Sequence, residues 1–261
     1  MSAPELVGAK SEDDGVEILT LRHPPVNALS TGVLDQLDTR LASIAADKKI
    51  RCVVLTGDGQ YFCAGADVKE MMQLGMEKAP DIQAKGQALF QRLAELRCPT
   101  IAAVNGLAVG GGLELILACD LRISADFAKF GAPEVGLGLL PAYGGTQRLP
   151  RLVGPSKAKE LMFTAALIPA AEALRIGLVN KVVPAGQELR AARDWAHTIA
   201  QKAPRAVAAT KQAINGGLDG PLADGLRAEQ EAFLREVMAS PDLEEGIAAF
   251  VEHRPPKFTG A

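Results

Sequence analysis

The stretch Asn105-Gly-Leu-Ala-Val-Gly-Gly-Gly-Leu-Glu114 decides how the chain reads. An apolar run, Thr100-Ile-Ala-Ala-Val104, precedes it as a buried strand, and Leu113-Glu-Leu-Ile-Leu-Ala-Cys119 follows it as the start of a helix. Three successive glycines at a strand-to-helix turn let the backbone approach a ligand closely and leave unpaired N–H groups facing it. Those groups, with the positive end of the helix dipole, favour an anion or a developing oxyanion. Glu114 follows Gly111 by three residues and shares its helix face. A backbone donor and a carboxylate therefore converge on one point.

Outward from this turn, strands and helices alternate. Val16-Glu-Ile-Leu-Thr-Leu21 reads as a strand ended by His23-Pro-Pro25. Ser30 is placed to cap a helix running to about Ala45, with Val33, Leu34, Leu37, Leu41 and Ile44 on one stripe. Arg51-Cys-Val-Val-Leu-Thr56 is a second strand, and Asp67 and Glu70 are spaced as a capping box for another helix. Residues 71–98 read as mostly helical with a break at Ala79-Pro80. Asp120–Ser124, Lys129-Phe130 and Leu178–Val183 read as strands, and residues 145–176 as short helices. From about Gln187 only helices follow: 187–203, 204–215, 221–238 and 241–252. The pattern is α/β with an all-helical C-terminal quarter.

At 261 residues the chain can bury one large core with a helical appendage. A net charge of −3 without a basic face argues against a nucleic-acid partner, and residues 81–98, with only Lys85, Arg92 and Arg97, form no lysine-rich helix. Cys52, Cys63, Cys98 and Cys119 form no CxxC pair and have no nearby histidine, so no zinc site is expected. They read as reduced thiols of a cytoplasmic protein. Met-Ser-Ala-Pro-Glu at the N-terminus has no signal-peptide character, and the uncharged run Cys98–Leu113 is too short and glycine-broken to span a bilayer.

Nucleotide-binding P-loop, GxGxxG and GxSxG motifs are absent from the sequence, and His23, His197 and His253 lie far apart in it. The chemistry falls to carboxylates beside glycine turns. Glu134, in Phe130-Gly-Ala-Pro-Glu134-Val-Gly-Leu-Gly-Leu-Leu-Pro141, is embedded in apolar sequence. Without a cation partner its pKa would rise until it held a proton near neutrality; helix capping or a salt bridge is the alternative. For Glu114 the alternative is service to the helix dipole. Ala66, in Cys63-Ala-Gly-Ala-Asp67, precedes a helix N-terminus, and its N–H would pair with that of Gly111 around one carbonyl oxygen.

Four motifs in order, Ala64–Glu70, Ala102–Glu114, Phe130–Glu134 and Gly144-Gly-Thr-Gln-Arg-Leu149, closely resemble the crotonase (enoyl-CoA hydratase/isomerase) superfamily over almost the whole chain. The resemblance implies a crotonase-like spiral of ββα units over residues 1–190, holding the active site, and a C-terminal helical trimerisation region over 191–261. It further implies a homotrimer or dimer of trimers acting on an acyl-CoA thioester, with the carbonyl held by Ala66 and Gly111. Carboxylates at both Glu114 and Glu134 favour an enoyl-CoA hydratase of fatty-acid β-oxidation or related degradation. No cofactor is implied beyond the coenzyme A of the substrate. A Δ-isomerase using Glu134 alone, or a non-catalytic CoA-binding assembly subunit, are the alternatives. By the same resemblance Ala28, Ala64, Asp67, Val68, Gly110 and Pro133 would line the substrate. Lys69, Phe250 and Lys257 would approach the CoA, the last two from a neighbouring subunit. Tyr143 departs from the small residues many members carry there. It would shorten the acyl pocket, orient substrate through its hydroxyl, or pack at a subunit contact. Met71–Phe90 reads either as acyl lining or as ordinary core.

Overall fold

Two strands open the chain in the computed structural model: β1 (Val7–Ser11) runs antiparallel to β2 (Val16–Leu21). The structure describes residues 4–218 and 220–261, so residues 1–3 of the N-terminal stretch read for leader features lie outside it. β1 escapes a reading from periodicity because only its first two residues are buried. Helix α1 (Thr31–Ala46) follows as expected. Ser30 Oγ accepts from Val33 N at 3.3 Å, and the five anticipated apolar residues are its buried ones.

Next come β3 (Cys52–Gly57), β4 (Tyr61–Cys63), α2 (Val68–Leu74), a 3-10 turn at Met76–Lys78 and α3 (Ala79–Glu95). The expected break is displaced. Gly75, at φ +92°, ends α2, while Pro80 sits in the first turn of α3, where its missing N–H costs no helix bond. The expected capping box is half formed. Asp67 Oδ1 accepts from Glu70 N at 3.0 Å, but the Glu70 carboxylate turns to Thr31, accepting from its N at 2.7 Å and its Oγ1 at 2.6 Å.

The decisive stretch also differs from its reading. Between β5 (Thr100–Val104) and α4 (Gly111–Leu117) lies a further strand, β6 (Leu107–Val109), and α4 begins two residues earlier than expected. A three-residue strand is too short to show alternation. Then follow β7 (Leu121–Ala125), β8 (Lys129–Gly131), a 3-10 turn at Glu134–Leu137, α5 (Gly145–Val153), α6 (Pro155–Thr164), β9 (Ile168–Pro169), α7 (Ala170–Arg175) and β10 (Lys181–Val183). Leu178–Asn180 are not strand: Leu178 N and Val179 N both donate to Ala173 O as the chain leaves α7. The C-terminal helices are α8 (Glu188–Ala200), α9 (Pro204–Gly217), α10 (Leu222–Ala232), continuing as a π turn at Phe233–Val237, and α11 (Pro241–Val251).

From β3 to β8 successive strands alternate between two sheets. One has the order β1-β2-β3-β5-β7-β10, parallel apart from β1; the other has β4-β6-β8-β9, parallel apart from β9. Each unit thus sends a strand to the first sheet, a short strand to the second, and then a helix or turn. The main core lies between the sheets and α1, α3 and α4. A second apolar cluster joins Val54, Ile101 and Ile123 of the first sheet to Ala192, Ala196 and Ala200 of α8. The 190/191 boundary therefore falls inside a helix that covers the first sheet.

Candidate active site

Three adjacent parallel strands, β4, β6 and β8, end on the same side of the second sheet. Their register sets Cys63 beside Ala108 and Val109 beside Gly131. Two or three residues beyond those ends stand Ala66, Gly111 and Glu134. The carboxyl ends of parallel strands are where such sheets leave room for ligands, and here they deliver two donors and an acid to one place.

Ala66 owes its orientation to a bridge with Leu29. Leu29 N donates to Gly65 O at 2.8 Å and Asp67 N to Leu29 O at 3.2 Å. The residue between those two bonds points its own N–H away from Leu29. Neither Ala66 N nor Gly111 N donates to any acceptor among the described residues. The two segments are in van der Waals contact. A Cβ on Gly65 would lie 3.3 Å from Gly111 N, and one on Gly112 would lie 2.2 Å from Cys63 O. Gly110 makes the entry to α4 at φ +56°, which favours glycine.

Glu114, on α4, is 3% exposed. Its Oε1 accepts from Tyr143 N and Gly145 N, each at 2.7 Å. It thus fills the place of a cap at the N-terminus of α5, where Gly144 supplies no side chain. Arg148 fixes the same turn by donating from Nη1 to Tyr143 O at 3.1 Å and from Nη2 to Gln91 Oε1 at 2.8 Å. Burial pushes the Glu114 carboxyl up to about 7, aided by the nearby Glu134 charge and opposed by the two N–H groups and Arg148. The carboxylate thus serves the N-terminus of α5 and not that of its own helix, and its second oxygen accepts no bond among the described residues.

Glu134 is held in the 3-10 turn, and both its carboxylate oxygens are buried without a hydrogen-bond partner. Neither a capping bond nor a salt bridge forms, and burial raises its pKa. A Cβ on Gly110 would lie 3.5 Å from Glu134 Oε1, so the acid rests against the glycine turn. Like charges this close disfavour double ionisation. Burial raises the pKa of both carboxyls; two N–H donors favour the anion of Glu114, and none favours that of Glu134.

The other expected residues divide into groups. Ala28, Ala64, Asp67, Val68 and Lys69 lie along the rim that the Leu29–Ala66 bridge holds together. Ala64 N donates to Val26 O at 3.0 Å, His23 Nδ1 lies 2.7 Å from Ala28 O, and Val68 and Lys69 are exposed. Gly110 and Pro133 flank the acid. Tyr143 is buried within its own chain: its ring meets Phe90 edge-on, with centroids 5.4 Å apart. Phe250 stands exposed on α11 and Lys257 N donates to Glu245 Oε1 at 2.7 Å; no bond of either leads to the carboxylates in this chain. Reading the sequence missed the part played by Tyr143 N and Gly145 N. Gly144-Gly145 ahead of an apolar helix was the available signal.

Residues 11–261 match the family model described as enoyl-CoA hydratase/isomerase. A short-chain-enoyl-CoA hydratase of Clostridium acetobutylicum is 44% identical, with 96% of this chain and 97% of that protein covered. A crotonyl-CoA hydratase of Syntrophomonas wolfei is 41% identical over 95% of each. The crystal structure of an enoyl-CoA hydratase from Bacillus anthracis superposes with a TM-score of 0.95 at 39% identity, covering 98% of this chain and all of that one. The chain belongs to the enoyl-CoA hydratase/isomerase family, and its two-sheet spiral is the crotonase fold.

Proposed function

We infer that the protein is an enoyl-CoA hydratase, a hydro-lyase that reversibly adds water to a trans-2-enoyl-CoA to give the 3-hydroxyacyl-CoA. The observation that carries this reading is the pair of carboxylates, Glu114 bonded by two N–H donors and Glu134 partnerless, beside two unpaired N–H groups. In the forward direction Glu114 takes a proton from water as its oxygen bonds to C3. The C2–C3 π electrons move toward the thioester carbonyl, whose oxyanion accepts from Ala66 N and Gly111 N. As the carbonyl re-forms, C2 takes the proton from Glu134, on the same face. Each donor in such a pair contributes about 3–4 kcal/mol to the transition state. The thioester itself activates the alkene, so the scheme calls on no metal or redox group.

The rim from Ala28 to Lys69 would carry the CoA, and the names of the clostridial and Syntrophomonas relatives support a short acyl chain. Degradation of fatty or related acids by β-oxidation in the cytoplasm, and a trimer or pair of trimers built through the C-terminal helices, complete the proposal. Among the described residues no helix is long and apolar enough to cross a membrane.

Glu114→Gln tests the assignment. Loss of the enoyl thioester absorbance of crotonyl-CoA should slow by about 10²–10⁴-fold. Unchanged hydration would remove Glu114 from the mechanism, and a Δ-isomerase working through Glu134 alone would survive the substitution.

A further inference from the structure

Hydration as described uses the backbone N–H of Tyr143 and leaves its ring without a role. That ring is wedged between two glycines. On one side is Gly86, a buried residue inside α3, where glycine is unfavourable compared with alanine. A Cβ there would lie 2.5 Å from Tyr143 Cε1 and 2.7 Å from Cζ, so the helix gives up a side chain to admit the ring. On the other side is Gly111, where a Cβ would lie 3.3 Å from Cδ2 and 3.4 Å from Cε2. Phe90, one helical turn beyond Gly86, meets the ring edge-on at an interplanar angle of 76°. Three contacts on three sides hold the ring in one place, and it is 5% exposed.

We propose that the Tyr143 ring closes the acyl pocket on the far side of the β-carbon and so restricts this enzyme to short acyl chains. The inference rests on the hydratase reading above. With the thioester oxygen at Ala66 and Gly111, water must reach C3 from Glu114. Glu114 is bonded to Tyr143 N, which places C3 next to residue 143. An acyl chain continuing from C3 then meets the ring, and the space it would need, toward Gly86 and Phe90, is filled. Crotonyl and hexenoyl groups end before or at this obstacle; octenoyl and decenoyl groups do not. Removing the ring opens a channel lined by Gly86, Phe90 and the first residue of α4.

The test compares kcat/KM on crotonyl-, hexenoyl-, octenoyl- and decenoyl-CoA for the unmodified enzyme, Tyr143→Ala and Tyr143→Phe, with calorimetric binding of saturated butyryl- and decanoyl-CoA. The unmodified enzyme should lose efficiency steeply beyond hexenoyl. In Tyr143→Ala the decenoyl-to-crotonyl ratio should rise by at least about tenfold, the discrimination a few methylenes in an apolar pocket can supply. Decanoyl-CoA should gain affinity relative to butyryl-CoA, a readout that does not depend on how well Glu114 remains aligned. Tyr143→Phe should keep the original ratios. Tyr143→Leu replaces the alanine variant if that one folds poorly. Efficient decenoyl hydration by the unmodified enzyme, or ratios and affinities unmoved in the alanine or leucine variant, would overturn the proposal while leaving hydration intact. So would an opened pocket in Tyr143→Phe, which would make the hydroxyl and not the ring the limit. No hydration of any ester by the unmodified enzyme would instead sink the hydratase reading, and the binding arm would still decide the plug.

Discussion

Two glutamates in similar sequence surroundings meet different partners at their oxygens. Glu114 is buried, yet two N–H groups at the start of α5 bond one of its oxygens, and its pKa stands at about 7. Glu134 has burial alone, which favours its neutral form. The sign of the pH dependence follows. As the base Glu114 must be ionised, so kcat/KM, which reports the free enzyme, should fall about tenfold per pH unit below roughly pH 7. As the donor Glu134 must be protonated, so activity should fall again at higher pH, with apparent values that belong to the pair. A stopped-flow profile on crotonyl-CoA checks both limbs, and Glu114→Gln should erase the acid limb from whatever rate remains. A flat profile through pH 6 would contradict the assignment of the base. The candidacy of both acids was legible in the sequence, because a carboxylate among glycines and apolar residues has few innocent explanations. That Glu114 has donors to its anion was not legible, since they come from Tyr143 and Gly145, 29 and 31 residues along the chain.

At the scale of elements, the site depends on short strands that leave no periodic trace. β4, β6 and β8 have three residues each; in the sequence β4 reads as no element and β6 as part of the strand-to-helix turn. The longer elements were visible because burial writes near-continuous apolar runs into β2, β3 and β5 and a helical stripe into α1, all where expected. What aligns the two oxyanion donors is the contact of the β4 end with the β6 end, and Gly65 stands within it. At φ +94° a Cβ there would sit 3.1 Å from Val109 O and 3.3 Å from Gly111 N. Gly65→Ala should therefore lower the melting temperature and reduce kcat more than it raises KM, because the displaced donors act on charge that develops in the transition state. Gly59→Ala is the control. Its φ of +75° imposes a similar backbone cost of about 1–2 kcal/mol, but its Cβ would enter open space. Destabilisation of both variants with a kcat loss in only the first is the expected outcome. Equal kcat values would show that the contact does not align the donors.

For the whole molecule, the C-terminal helices divide into one that finishes the fold and three that leave it unfinished. α8 seals the outer face of the first sheet with Ala192, Ala196 and Ala200. Beyond it, the large apolar side chains of Ile214, Leu222, Leu226, Phe233, Leu234 and Phe250 on α9–α11 and the π turn are exposed, and clustered apolar exposure marks interaction sites. The tail is nonetheless tied down: Asp242 accepts from Thr259 N at 2.8 Å and Gly260 N at 2.9 Å. An ordered, apolar, uncovered face fits a second copy of the chain better than a loose appendage. It also gives a place to Phe250 and Lys257, which lie with α9–α11 in their own chain. Light scattering should return three or six times the 27.4 kDa chain mass. Leu222→Glu combined with Leu226→Glu, both at strongly exposed positions, should release smaller species, since a charge buried at such a face lacks a partner. If neighbouring chains supply CoA contacts, KM should rise in that double variant more than kcat falls, because Glu114, Glu134, Ala66 and Gly111 all come from one chain. A 27.4 kDa particle with full activity before any substitution would end the assembly proposal and leave the carboxylate chemistry untouched.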